Sequence, residues 1–275
     1  MRMGEYNELS IIRETENGLY LGDGEFEVLL PRGQMPRKFA LGARLRVFIY
    51  TDSEDRPIAT TKPPRATVGE FAFLKVVGLS GGGAFFDWGI DKDLFCPLRE
   101  QTMELNEGQS YVVRVYLDVI SNRVVCSMNI PKYLRTSGED LQLGQPVRIM
   151  VYNIGRDAIS VIVNNYVRGT IFPDEWHEEL HVGEMRDAYV KAIRAGDNKV
   201  AISLRPQGYQ AVIGERDRIL QALERQGGFL PVSDRSSPEE IHFQFGLSKG
   251  AFKKLIGALY REGIITIESH GIRLV

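Results

Sequence analysis

Three strings in this chain of 275 residues hold residue types that could do chemistry. The first is His177-Glu178-Glu179-Leu180-His181, an H-E-x-x-H pattern. Two histidines four apart on one helix face can hold zinc, with the glutamate as base, provided a third ligand exists. Here the string lies between Pro173 and Gly183, where only about two helical turns fit. The later histidines, His242 and His270, sit in a different part of the chain, and an extended zinc pattern would place its last histidine on Asp187. The string therefore reads as a connector helix, and no metal is expected. The second string, Gly81-Gly82-Gly83, lacks the Gly-Lys-Ser/Thr that completes a phosphate loop and runs into a strand rather than a helix. The third is Ala84-Phe85-Phe86-Asp87-Trp88. In a strand, Phe85 and Asp87 share one face while Phe86 and Trp88 share the other. One pair must fill a core. An exposed aromatic could stack on a nucleic-acid base, worth roughly 1–3 kcal/mol per base. Nowhere do a nucleophile, a base and an orienting group come together, so catalysis is not expected.

The elements that would position these residues recur. Gly4, Pro31 and Gly42 are followed by Gly69, Pro97 and Gly108, then by Gly144, Pro173 and Gly183. Proline and second glycine are 11, 11 and 10 residues apart, and the next apolar run starts 16, 16 and 17 residues on, at Ile58, Val124 and Val200. The period of 65 to 76 residues is too long for a solenoid unit, so each copy is a small domain. In the second copy strands are predicted at 71–77, 84–88, 94–97, 111–117 and 124–128. The third copy has the same order at 147–154, 158–163, 167–172, 188–193 and 200–204, and the first at 9–13, 18–21, 25–30, 44–50 and 58–61. Five short strands with a turn after the third describe a closed Greek-key barrel of OB type. Lys62-Pro63-Pro64-Arg65 forms a stiff first linker, and residues 131–140 a longer, partly helical one.

From about residue 213 the pattern becomes helical. A helix is predicted over 215–226, ending at Gly227-Gly228. Ser237-Pro238-Glu239-Glu240 opens a second, and Ser248 caps a third whose apolar face is Phe252, Leu255, Ile256 and Leu259. Residues 264–268 and 272–275 flank Ser269-His270-Gly271 as a hairpin. Three helices and a hairpin make a winged helix. The fold class is thus multidomain and mainly β: three tandem five-stranded OB-type barrels at 1–64, 65–138 and 139–207, then an α/β winged-helix domain at 208–275.

Apolar and charged fractions of 43% and 25% are those of an ordinary soluble protein. No apolar run could span a bilayer, and the first residues lack a secretory leader. Cys96 and Cys126 are too few for a disulfide scaffold and read as buried thiols in a reducing compartment. The net charge is −2 overall, and −1, 0, −2 and +1 over the four segments. Duplex DNA gripped by charge alone would need a more basic chain, so nucleic acid would have to be held by local patches and stacking.

The run from Gly69-Glu70-Phe71-Ala72-Phe73-Leu74-Lys75-Val76 into Gly83-Ala84-Phe85-Phe86-Asp87 resembles the opening of the RNA-binding barrel first known from ribosomal protein S-one. Val124-Val125-Cys126-Ser127-Met128 and Val200-Ala201-Ile202-Ser203-Leu204 resemble its closing strand. The resemblance implies that Phe85 lies on the RNA-binding surface with Asp87, and with Lys75, Arg114 and Tyr116 on neighbouring strands. Phe172 matches a family aromatic at the end of the third strand, where Leu30 and Cys96 stand in the other copies. Arg123 and Lys199 match a basic residue before the last strand, and Gly82 replaces a further family aromatic. Three such barrels and a winged helix resemble the CvfB (conserved virulence factor B) family of bacterial proteins. The most specific portions are Val68 to Asp87 and Gly246 to Tyr260. That resemblance implies a cytoplasmic, non-catalytic RNA-binding protein acting after transcription, with no cofactor and single-stranded RNA as partner.

On the third helix, Gly250, Lys253, Lys254, Gly257 and Arg261 lie opposite the apolar face, and Lys253 and Lys254 are candidate phosphate contacts. Two other readings stay open. Near-neutral charge suits a scaffold docking on the ribosome or an RNA-processing protein. The winged helix alone would suit a DNA-binding regulator.

Overall fold

A computed structural model describes residues 1–175, 179–194, 196–206 and 208–275, with side chains throughout except for Asp174 and residues 208–214. The first barrel is built from β1 (Tyr6–Thr15), β2 (Gly18–Gly22), β3 (Glu27–Pro31), β4 (Arg44–Thr51) and β5 (Pro57–Thr60). The second uses β6 (Phe71–Ser80), β7 (Gly83–Phe86), β8 (Leu94–Pro97), β9 (Ser110–Asp118) and β10 (Arg123–Ser127). The third uses β11 (Pro146–Ile154), β12 (Ile159–Val163), β13 (Val167–Ile171), β14 (Met185–Ile193) and β15 (Val200–Ser203). Each sheet closes on itself, and numbered within each barrel the ring order is 1-2-3-5-4, the expected OB topology. Each seam is a short parallel pairing, β3 with β5, β8 with β10 and β13 with β15.

The repeated glycines have a physical cause. Gly4, Gly69 and Gly144, and Gly42, Gly108 and Gly183, all have φ between +75° and +93°, a region that costs an L side chain about 1–2 kcal/mol. The second glycine of each copy donates its N–H back to the first strand, to Ile11, Val76 and Val151. One bulge recurs in that strand, at Ile12, Val77 and Tyr152, eight residues beyond the first glycine each time. A bulge sharpens the bend a short strand needs to close a small barrel.

Alternation chooses the second barrel's core. Leu74, Val76, Ala84, Phe86, Trp88, Leu94 and Cys96 are buried. Phe86 and Trp88 are therefore the inward pair, and Phe85 points out. The Trp88 indole donates to the Ala66 carbonyl at 2.7 Å and meets Phe48 of the first barrel edge-on, centroids 5.3 Å apart. Cys96 and Cys126 are both buried and unbridged. Burial pushes the Cys126 thiol well above its ordinary pKa, which makes it a poor nucleophile.

Residues 131–140 begin with a 3-10 turn, Ile130–Tyr133. Phe71, Val112, Ile130 and Leu134 then pack with Met150 and Ile162 of the third barrel. The Asn165 side chain accepts from the Phe71 N–H at 3.2 Å and donates to the Gly69 carbonyl at 2.9 Å, tying the same two barrels.

The helical segment contains α1 (Gly208–Arg225), β16 (Phe229–Leu230), α2 (Pro238–Phe245), α3 (Lys249–Arg261), β17 (Ile265–Glu268) and β18 (Gly271–Leu274), with its sheet in the order β16-β18-β17. Ser237 and Glu240 form a reciprocal capping box on α2, and the Ser248 hydroxyl accepts from the Ala251 N–H at the start of α3. Phe252, Leu255, Ile256 and Leu259 are buried as predicted. Two features depart from the sequence reading. Helix α1 starts at Gly208 instead of 215, because Gly208, Gln210 and Gly214 break the apolar period there. Strand β16 has two residues, too few to show a period. By contacts the chain divides into two compact units: Met1–Glu139, Arg148–Asp187 and Arg194–Ala201 in one, Asp140–Val147, Ala188–Ile193 and Ile202–Val275 in the other. No described helix is long and apolar enough to cross a membrane.

Candidate nucleic-acid interface

Strand β7 starts with glycine because a Cβ on Gly83 would lie 2.2 Å from the Cys96 carbonyl oxygen. Close approach of β7 to β8 pairs Phe85 directly with Phe95. Their rings lie 5.2 Å apart, tilted by 46°, and Phe85 is 37% exposed. The two rings make a small aromatic platform on the outer face of β7 and β8. Phe95 was not singled out from the sequence, although its place between the inward Leu94 and Cys96 marks it as outward.

The platform forms one wall of a groove of about 580 Å³. Arg123 and Val125 of β10 contribute to it, together with Lys92 and Asp93 from the β7–β8 loop. The opposite wall is the end of β4 and the following turn of the first barrel, with Tyr50, Thr51 and Asp55. The Lys92 ammonium donates to the Asp52 carbonyl at 2.6 Å and to the Thr51 hydroxyl at 3.2 Å. Burial lowers its pKa, while Asp55 raises it. Arg123 forms an ion pair with Asp55. Other charges around the groove are paired as well: Arg65 with Asp87 at 2.7 Å, and Lys62 with Asp91. The Arg65 guanidinium holds the Asp87 carboxyl below the usual carboxylate range, whereas burial, and then Asp87, raise that of Asp93. A near-neutral sequence thus becomes a surface of matched charges.

Of the sequence candidates, Phe85 and Arg123 share this groove. Lys75 is exposed on β6, its carbonyl accepting from the Asp87 N–H at 2.9 Å. Asp87 is engaged with Arg65. Arg114 and Tyr116 are elsewhere, because β9 neighbours β6 and β10, not β7. The Arg114 guanidinium lies over Phe71 at 4.6 Å and Tyr133 at 5.7 Å, and its Nε and Nη1 are buried without a hydrogen-bond partner among the described residues. Tyr116 stacks obliquely on Tyr133 at 5.8 Å, and burial pushes its hydroxyl up to about 12. Both serve the packing beside the third barrel.

Strand pairing also corrects one correspondence. Gly83 pairs with Pro97 and Ala84 with Cys96, as Gly18 pairs with Pro31 and Leu19 with Leu30. In the third barrel Ile159 pairs with Ile171. Ile171, not Phe172, is therefore the equivalent of Leu30 and Cys96, and all three are buried. The extra residue before Pro173 moves Phe172 just past the strand, where it is exposed. By the same pairing, Phe85 and Phe95 correspond to Tyr20 and Leu29 in the first barrel and to Ser160 and Thr170 in the third. The Arg13 guanidinium covers the Tyr20 ring at 3.6 Å. The paired aromatic platform is thus a feature of the second barrel.

Lys199 lies before β15 and pairs with Asp197 at 3.1 Å. Lys253 and Lys254 are exposed on α3, Lys253 within 3.8 Å of Asp234. His177 and Glu178 of the H-E-x-x-H string lie outside the described residues, and His181 sits in irregular backbone. Among the described residues no cluster of histidine, cysteine and carboxylate side chains is arranged to hold a metal.

Comparison with known proteins agrees with this architecture. Residues 3–62 match the S1 domain family model, and residues 217–274 match the CvfB-like winged helix domain. Both are nucleic-acid-binding domain types that are typically non-enzymatic. The S1 match falls on the first barrel, whose skeleton is intact but whose aromatic surface is reduced. The chain is 28% identical to the Bacillus subtilis protein YitL over 98% of its own length and 92% of that protein. It is 26% identical to conserved virulence factor B of Staphylococcus saprophyticus, covering 85% of this chain and 80% of the relative. A solved multidomain protein with nucleic acid binding domains from Streptococcus pneumoniae is 25% identical, with 99% of this chain and 98% of that one covered at a TM-score of 0.42.

Proposed function

We propose that this protein binds single-stranded RNA without catalysing a reaction, and that it acts in the cytoplasm of a bacterium in post-transcriptional control of gene expression. The observation that carries the reading is the Phe85–Phe95 platform beside Lys92 and Arg123. It lies on the second and third strands of an OB-type barrel, the face such folds offer to oligonucleotides. Flat rings accept a base of any sequence, and two cations nearby meet the backbone. Lys75 extends the patch along β6. We assign four modules, 1–64, 65–138, 139–207 and 208–275, with the second as the principal RNA site. Phe172, Lys199, Lys253 and Lys254 are weaker secondary contacts that add avidity through linkage.

The test is fluorescence anisotropy of the full chain with short labelled single-stranded RNA, duplex RNA and duplex DNA at two salt concentrations. Single-stranded RNA should bind best, with affinity falling as salt rises. Phe85→Ala should weaken binding about five- to a hundredfold, in line with the loss of one stacked base, without altering the melting temperature by more than a few degrees. Equal affinity of the variant and the parent would overturn the reading. A second reading, docking on the ribosome or another protein, is favoured by one observation. Val119 and Ile120, at the β9–β10 turn, are 86% and 90% exposed. Salt-tolerant association with a ribosomal particle, lost on Ile120→Ser and unaffected by Phe85→Ala, would support it.

A further inference from the structure

Asp55 occupies an unusual place. It belongs to residues 52–56, the turn joining β4 to β5 in the first barrel, and its backbone is left-handed with φ of 65°. Its side chain reaches cations of the second barrel. One carboxylate oxygen pairs with Arg123, and the other lies 3.9 Å from the Lys92 ammonium. Lys92 is itself held in position, since Asp52 and Thr51 accept hydrogen bonds from it.

Two features separate this cluster from an ordinary surface ion pair. Lys62 and Arg65 each have an aspartate partner beside the groove, whereas Lys92 and Arg123 share one. Within the seat two cations therefore face one carboxylate, and Asp91 and Asp93 are the further acids that line the groove. It also opens into the groove walled by Phe85 and Phe95. A carboxylate and a phosphodiester present the same thing to a pair of cations: one negative charge spread over two oxygens. A strand stacked on the two rings would bring its backbone towards the seat that Asp55 fills.

We propose that Lys92 and Arg123 form the phosphate seat of the groove, and that the Asp55 carboxylate occupies it as an internal stand-in until nucleic acid displaces it. The first barrel then competes with RNA for the second and sets its affinity. This rests on the reading that the groove binds single-stranded RNA.

The experiment compares the full-length parent with Asp55→Asn, Lys92→Gln and Phe85→Ala, using a short labelled oligouridylate at several salt concentrations. Asparagine keeps the shape of the side chain and tolerates positive φ. Asp55→Asn should bind roughly three- to tenfold tighter. Its log–log salt dependence should steepen by up to about 0.7, the value of one more neutralised phosphate on a single strand. Lys92→Gln should weaken binding. If Asp55→Asn lowers the melting temperature, Asp55→Gly repeats the test at a position whose φ suits glycine. Should Phe85→Ala weaken binding while neither Asp55 variant strengthens it, the groove binds RNA, Asp55 is only a strut between barrels, and the stand-in proposal is overturned. Should Phe85→Ala leave affinity unchanged, or the parent and all variants fail to bind, the groove reading falls and takes the stand-in with it. RNA binding gained only by the Asp55 variants would support the stand-in in its strongest form.

Discussion

Side chains of the same type serve different ends depending on the surface they meet. Phe85 and Phe86 are adjacent, yet one is exposed and the other wholly buried. The difference follows from strand geometry alone, because successive side chains point to opposite faces. Arg114 and Arg123 are both arginines and stand on adjacent strands. Arg123 faces a groove, while Arg114 is laid over Phe71 and Tyr133 with its Nε and Nη1 unpaired among the described residues. A buried guanidinium with unmet donors carries a desolvation cost that apolar residues of similar volume avoid. Arg114→Met is therefore expected to leave stability unchanged or raise it by about 1 kcal/mol, and to leave RNA affinity within twofold of the parent. Chemical denaturation and anisotropy on the same preparation check both. A large loss of RNA affinity in a folded protein would return Arg114 to the binding surface.

Elements are held in register by backbone devices that repeat. Each barrel uses a left-handed glycine before its first strand, a bulge within that strand and a second left-handed glycine before its fourth. At Gly183 the second device also meets a neighbour. A Cβ there would lie 2.2 Å from the Phe73 ring of the second barrel. Gly183→Ala is expected to destabilise the protein by about 2–4 kcal/mol, combining the left-handed penalty with overpacking. A thermal melt measures this, and Phe73→Ala in the same background should recover part of the loss. No recovery would mean that backbone strain alone is responsible. The third barrel carries one residue more before Pro173 than the second, and the strand ladder absorbs it by placing Phe172 outside β13.

At the scale of the molecule, three barrels share one design but not one surface. Only the second pairs two aromatic rings at the positions of Phe85 and Phe95. The first offers Tyr20 under Arg13, and the third offers Ser160 and Thr170. On the proposed reading, such an array would bind through one stronger site and several weak ones, with linkage raising the effective concentration at the weak ones. Lys253 and Lys254 on α3 test whether the winged helix takes part. The double change Lys253→Ala, Lys254→Ala should lower affinity for a long single strand several-fold and reduce the salt slope by about 1.4, as for two lost phosphate contacts. It should leave a short oligonucleotide unaffected. Equal loss for both lengths would argue against a linked secondary site.

Much of this was legible in the chain itself. The glycine skeleton shows in the sequence because a left-handed backbone is a local requirement that few residues meet. The caps of α2 and α3 show because Ser237 and Ser248 act on N–H groups three residues away. Alternation around Phe85 narrowed the core to one of two pairs for the same reason. Tertiary structure decided what lies far apart in the chain. Asp55 and Arg123 are 68 residues apart, so no spacing rule could join them. Arg114 and Tyr116 stand on β9, which the closed ring pairs with β6 and β10 and not with the Phe85 strand, and no spacing in the chain reveals that pairing. The short-range backbone code determined the barrels and the winged helix. Long-range packing between the first two barrels decided which charges share the groove, because an ion pair depends on distance in space and is indifferent to distance along the chain.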